Sequence, residues 1–230
     1  MLVARRREAL DAVSAAITAA HPGVQIRLAA IDLARPDLID ALHPFVGDVE
    51  VGLLVCNAAR SVIGRFEQQP LADHLNVIDV NIRATVTLAH HFAGQMVARR
   101  RGGLITMSSL AAGQGSPFLS TYAASKAFDL IFAEALWHEL QPQGVDVVSC
   151  RAGATKTPNY DRYKPQGPPP PMMDAEPVVE EALDALGRTP SFVAGWKNKI
   201  AVRMLGLMPR RAAIGLMGRT TARMYPDALK

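Results

Sequence analysis

The chain predicts an α/β fold, a parallel sheet covered by helices on both faces. Three observations carry this. The apolar runs Val51-Gly-Leu-Leu-Val-Cys56, Leu104-Ile105-Thr106-Met107 and Val145 to Cys150 read as buried strands. Stretches of helical periodicity separate them, with short connections. With 230 residues, 49% hydrophobic and 20% charged, there is material for one domain with a sizeable core. No internal repeat appears, and residues 1–230 are taken as a single domain.

Met1 to Ala4 reads as a strand fragment. Leu10, Val13, Ala16 and Ile17 then recur at helical spacing until His21-Pro22-Gly23 stops the helix. Val24 to Ile31 is a second strand, ended by Asp32, and a short helix follows around Pro36 to Leu42. The third strand, Val51 to Cys56, runs into Asn57-Ala58-Ala59. Helical periodicity resumes near Leu71 and continues, with a bend, through Asn81 to Arg100. Gly102-Gly103 breaks it before the next strand. A helix capped by Ser120 or Thr121 ends near Gln143-Gly144, and Val145 to Cys150 is another strand. Pro165 to Pro171 ends in four consecutive prolines, which neither helix nor central strand accepts; it belongs to a loop or lid over 159–175. Ala175 to Leu186 reads as a helix and Ser191 to Ala194 as a short strand. Trp196 to Leu207 and Arg210 to Met224 are two basic amphipathic helices within a basic segment, 196–230.

Composition narrows the function classes. A formal net charge of +4 is mild, and no nucleic-acid partner is expected. Cys56 and Cys150 each end an apolar run without metal-ligand spacing, so they read as buried small hydrophobes in a reducing compartment; no metal is expected. No apolar run reaches the length of a membrane span, and the arginine-rich start lacks a signal-peptide core. A cytoplasmic protein is expected. From Lys197 onward eight basic residues face the lone acid Asp227. They read as a solvated helix face, or as a peripheral membrane contact, since Met, Leu and Ile line the other side.

The stretch Ser109 to Lys126 carries the chemistry. Tyr122 and Lys126 are four apart, so they are neighbours on one helix face. A phenol ordinarily titrates near 10, and a cation beside it favours the phenolate. With a serine hydroxyl on the same substrate oxygen, such a set gives a proton to a carbonyl being reduced or takes one from an alcohol being oxidised.

Ser109, then after twelve residues Tyr122-Ala-Ala-Ser-Lys126, resembles the signature of the short-chain dehydrogenase/reductase family. The resemblance implies a Rossmann-like doubly wound parallel sheet. It makes Tyr122 the general acid/base and Lys126 its cationic neighbour, which also holds the cofactor ribose. Ser109 positions the substrate oxygen, and Asn81, in Asp79-Val80-Asn81-Ile82, completes a proton relay through water. It implies a nicotinamide cofactor held by Asp32 and Leu33 at the adenine, by Asn57, Ala58 and Ala59 below the adenosine, and by Gly153, Thr155 and Thr157 near the nicotinamide. Cys56-Asn57-Ala58-Ala59 stands where the family carries Asn-Asn-Ala-Gly, and Ala152 stands for the Pro of its Pro-Gly turn. Arg5 and Arg6 follow the strand whose end faces the adenosine ribose. Arginine there suits a 2′-phosphate, and cations oppose the dipole at a helix start, so NADP(H) is expected over NAD(H).

The family's first strand and its glycine-rich loop have no counterpart, so the expected sheet lacks its first βα unit, roughly 30 residues. Met1–Val3 and Val51–Cys56 are then expected either to close up or to stand about two strand spacings apart, ~9.6 Å. The expected function is an NADP(H)-dependent oxidoreductase interconverting a carbonyl and a secondary alcohol. An apolar substrate is suggested by the Pro/Met-rich loop and Met-rich helices, and a homo-oligomer by the family's habit of pairing its long helices. The alternative is a non-catalytic remnant that keeps the site residues and cannot hold cofactor.

Overall fold

The computed structural model describes residues 1–157, 163, 165–167 and 170–227. Six strands, all paired in parallel, order the described chain. β1 (Leu2–Ala4) pairs with β2 (Leu28–Ala30), and β3 (Leu53–Cys56) begins a second ladder through β4 (Gly102–Ser109), β5 (Val145–Ala152) and β6 (Ser191–Val193). The helices are α1 (Arg7–Ala20), α2 (Leu38–Val46), α3 (Leu71–Ile78), α4 (Ala84–Ala98), α5 (Ser120–Leu140), α6 (Ala175–Ala185), α7 (Trp196–Leu207) and α8 (Arg210–Met224).

The period-2 alternation of β4 and β5 sorts the core. Leu104 and Val147 point to one face and pack with Ala89 of α4 and Ala133 of α5. Ile105, Val148 and Cys150 point to the other and pack with Val178 and Ala182 of α6. Leu38, Leu42 and Val46 of α2 join Phe92 and Met96 of α4 and Ala29 of β2 in one buried cluster, which joins the two ladders through side chains. Sheet covered on both faces is thus the outcome, as the alternation of elements predicts.

No ladder joins β1 to β3 among the described residues, so the two strands do not close up. Leu53 and Val55, on the β3 face opposite Leu54, are 40% and 47% exposed.

Several expectations are corrected in detail. The second strand is shorter than Val24–Ile31 because residues 24–27 find no ladder partner beyond a single bond from Leu2 N to Arg27 O. α2 runs on through Pro44, whose missing N–H costs one bond in its last turn. α5 takes no side-chain cap: its N-cap is Leu119, and Thr121 instead bonds His74. The bend near Asn81 is a π-helical turn, Asp79–Arg83, between α3 and α4. Strand β4 starts at Gly102, where a Cβ would meet the Met96 side chain at 2.4 Å, so the expected helix breaker is also a packing requirement. Gly144, at φ +80, turns the chain after α5 as expected.

Candidate active site

The register of the ladder fixes where chemistry can occur. Cys56 pairs Thr106, and Ser109 pairs Ala152, so the ends of β3, β4 and β5 deliver Asn57, Ser109 and Gly153 to one edge of the sheet. Carboxyl ends of parallel strands are where such sheets bind ligands.

α5 is fastened to that edge by polar bonds. Ser108 donates to the Lys126 carbonyl at 2.7 Å, and Lys126 Nζ reaches the Met107 carbonyl at 2.8 Å. Tyr122, one turn earlier, lies half-buried with Lys126 Nζ 6.0 Å from its ring centre. Ser109 Oγ accepts from Ala111 N at 3.2 Å, which holds the hydroxyl at the start of the loop.

Lys126 also pairs with Asp129 at 2.9 Å, both side chains being almost wholly buried. Burial pushes the Asp129 carboxyl up, and the Lys126 charge and hydrogen bond pull it back only in part. Its Oδ1 has no partner among the described residues. Sequence reasoning misses Asp129. The available signal is a single charge inside the apolar run Ala127 to Ala133, three residues from the site lysine.

Asn81 is 1% exposed and its side chain is engaged. Oδ1 accepts from Arg60 N at 2.8 Å, while Nδ2 donates to the Arg60 carbonyl at 3.0 Å and to Ser125 Oγ at 2.8 Å. Ser125 in turn donates to the Tyr122 carbonyl at 2.7 Å. The side chain of Asn81 therefore pins the loop after β3 onto the helix of Tyr122. His74 adds a second pin, with Nε2 on the Phe66 carbonyl and Nδ1 on Thr121 Oγ1 at 2.7 Å. Neither Arg60 nor His74 belongs to a sequence motif that would flag it.

The residues expected at the adenosine end come together. Arg5, Asp32, Leu33, Asn57, Ala58 and Ala59 line one cleft of about 250 Å³, with Arg60 and Val80. Asp32 Oδ1 accepts from Ala34 N, and its other oxygen lies 3.8 Å from Arg5. Arg6 is the N-cap residue of α1 and lies outside this lining. Gly153, Thr155 and Thr157 stand apart, beyond β5. A Cβ on Gly153 would meet Asn198 at 2.6 Å, and Thr155 Oγ1 donates to the Gly153 carbonyl. Met173 bonds Ala154 and Lys156, laying the 170–173 segment against that turn. Of the expected lid, 159–162, 164, 168 and 169 lie outside the described residues. Tyr163 accepts from Ser61 N at 3.0 Å, and Gln166 bonds the Met224 carbonyl.

The cleft brings together the groups that the adenosine half of a dinucleotide calls for: apolar surface from Ala58 and Val80, the Asp32 carboxylate for the adenine, and the Arg5 guanidinium for a phosphate. Cys56 and Cys150 are both pushed up to about 12, chiefly by burial, so neither is a thiolate nucleophile.

A family model described as short chain dehydrogenase matches residues 1–167. The chain belongs to the short chain dehydrogenase family. Its members are oxidoreductases acting on CH–OH groups. The chain is 31% identical over 221 residues to the 7beta-hydroxysteroid dehydrogenase of Clostridium sardiniense, covering 95% of this chain and 84% of that protein. A solved 7beta-hydroxysteroid dehydrogenase structure superposes with a TM-score of 0.86 at 28% identity, over 94% of this chain and 85% of that one. A short-chain dehydrogenase from Sphingobium yanoikuyae in complex with NADPH gives 0.77 at 29%, over 94% and 84%. No described helix is long and apolar enough to cross a membrane.

Proposed function

We propose that this short chain dehydrogenase interconverts a carbonyl and a secondary alcohol on an apolar, steroid-like substrate with NADP(H). The observation that carries the reading is the convergence of the ends of β3, β4 and β5 on one edge, with Tyr122 and Lys126 standing over it on α5. The likeness to 7beta-hydroxysteroid dehydrogenases supports the substrate class, and the NADPH in the Sphingobium relative supports the cofactor.

In this reading Arg5, Asp32, Leu33 and Asn57 to Ala59 hold the adenosine end, and Gly153, Thr155 and Thr157 hold the nicotinamide end. The bound cofactor supplies or accepts the hydride. Ser109 donates a hydrogen bond to the substrate oxygen, and the Tyr122 hydroxyl gives its proton to that oxygen during reduction or takes it during oxidation. Lys126 places positive charge beside the phenol. Asn81 keeps the 57–60 loop and the Tyr122 helix in register, so proton transfer and cofactor contact share one frame.

The deciding experiment is thermal unfolding with and without cofactor. At 100 times the dissociation constant, NADPH should add about 2.7 kcal/mol to the folded state and exceed NADH at equal concentration. Tyr122→Phe should keep that shift while losing NADPH oxidation with a steroid ketone. A wild-type chain that NADPH leaves unshifted favours the second reading, a protein that retains the site side chains without turnover. The engagement of Lys126 by Asp129 is the observation on that side.

The partner reading extends to surfaces. Trp196, Ile200, Met204 and Leu207 form one outward stripe of α7, 51% to 83% exposed, beside Lys197 and Arg203. Such a stripe suits a peripheral contact with anionic membrane. The long helices α4 and α5 remain the expected contact between copies of the chain.

A further inference from the structure

A cavity of about 270 Å³ lies between the loop after Ser109, the end of β5 and helices α7 and α8. None of Ser109, Tyr122 and Lys126 lines it. Its polar side chains, Gln114, Arg151 and Arg210, all carry N–H donors. Arg151 Nε and Gln114 Nε2 are both buried and without a hydrogen-bond partner among the described residues. Arg210 stands at the rim, where Nη1 donates to the Gly113 carbonyl at 3.0 Å. Val202, Leu205 and Met208 supply an apolar wall.

Buried donors ordinarily find acceptors, and here two residues that line the same space each carry one without a partner among the described residues. The acid whose charge acts on Arg151 is Glu134, and it is already bonded by Ser191 Oγ at 2.6 Å. The loop also presses close: a Cβ on Gly113 would lie 2.9 Å from Arg151 Nη2, so a glycine is what lets the guanidinium lie against it. Cation, amide donor and apolar wall together fit an anion carried on a hydrocarbon body, with the planar guanidinium matched to a carboxylate.

We propose that this cavity binds an amphipathic monocarboxylate, its acid group on Arg151 and Gln114 and its chain against Val202 and Leu205. The site is separate from the proton-transfer residues and needs no cofactor, so its failure and that of the proposed oxidoreductase are distinguishable.

The test is calorimetric titration of the 230-residue chain with octanoate in the absence of NADPH. Saturable binding is expected, weakened at least tenfold in Arg151→Met and at least tenfold weaker for 1-octanol. Gln114→Leu, expected to lose several-fold, keeps the test open should Arg151→Met fail to fold. Equal octanoate affinity in wild type and the folded variants, octanol bound as tightly as octanoate, or no saturable binding would overturn the proposal. Two sources of carboxylate are separated kinetically. If octanoate raises the KM of an acid-bearing ketone and not that of a neutral one, the pocket takes the substrate's own tail. If neither KM moves while octanoate binds, it takes a separate ligand.

Discussion

Lys126 is held from two sides, by the Met107 carbonyl and by Asp129, and that fixes what a substitution at Asp129 would do. Asp129→Asn removes the carboxylate that compensates the lysine charge and leaves the Met107 carbonyl as the remaining anchor of Nζ among the described residues, which weakens its hold away from Tyr122, one helical turn earlier. The pH profile of turnover should then move by about one unit; a profile identical to wild type would show that Asp129 is only a packing residue. Stability carries a second sign. The folded Asp129 carboxyl titrates above its unfolded value, so its protonation favours the fold. That contribution is present below about pH 4 and is lost as the pH rises through the folded value. The melting temperature of wild type should therefore gain on that of Asp129→Asn as the buffer goes from about pH 7 toward about 4. Arg5 offers a third test at this scale. If Arg5 holds the 2′-phosphate as proposed, Arg5→Ala should narrow the preference for NADPH over NADH by about tenfold in affinity, the loss of one charge-assisted contact.

Among the elements, the π-turn at Asp79–Arg83 decides the orientation of Asn81, and through it the loop after β3. Asn81→Ala would leave Arg60 N, the Arg60 carbonyl and Ser125 without their partner. The expected cost is about 2–4 kcal/mol, a fall on the order of 10 °C in Tm. Asn81→Leu, which restores the bulk, should not recover it, because the loss is of hydrogen bonds and not of volume. The exposed stripe of α7 has its own test. Ile200→Asp should abolish co-sedimentation with vesicles rich in phosphatidylserine, with Trp196 emission no longer shifting to the blue; retained binding would remove the apolar stripe from the account. The elements are largely legible in the sequence because their signals are local. α7 and α8 keep the bounds that their basic amphipathic pattern puts on them, and Ser109, Tyr122 and Lys126 sit in a strand–loop–helix pattern that a spacing rule can see. Arg60 and Tyr163 are not legible: their partners are Asn81 at 21 residues' separation and Ser61 at 102, and only the folded chain brings those atoms together. Asp129 lies three residues from Lys126 on one helix, so the pairing is local, while the burial that sets it apart from a surface ion pair comes only with the fold. The expected cap of α5 is absent for the related reason that Thr121 has a better tertiary partner in His74.

At the scale of the whole molecule, the two ladders meet through side chains and not through backbone bonds. Leu38, Leu42, Phe92 and Met96 bridge them, so the cleft at Arg5 and Asn57 lies between the end of β1 and the loop after β3, with α2 and α4 packed across the junction of the ladders. Cofactor that touches Arg5 and Asn57 together would therefore stiffen the molecule across that junction, and hydrogen exchange should slow in β1 and β3 more than in β5 when NADPH is added.

The open flank of β3 has a further consequence, for the behaviour of concentrated solutions. Val51 to Cys56 is an uncharged, mostly apolar segment whose strand, β3, lacks a ladder partner on one side among the described residues, with Leu53 and Val55 showing on one face. An edge of that kind is a template for another copy of itself, and no lysine or proline stands in it to deter the match. Charge introduced at Val55 should delay turbidity on heating without touching Tyr122, which would mark the shelf life of the protein as a property of one strand edge.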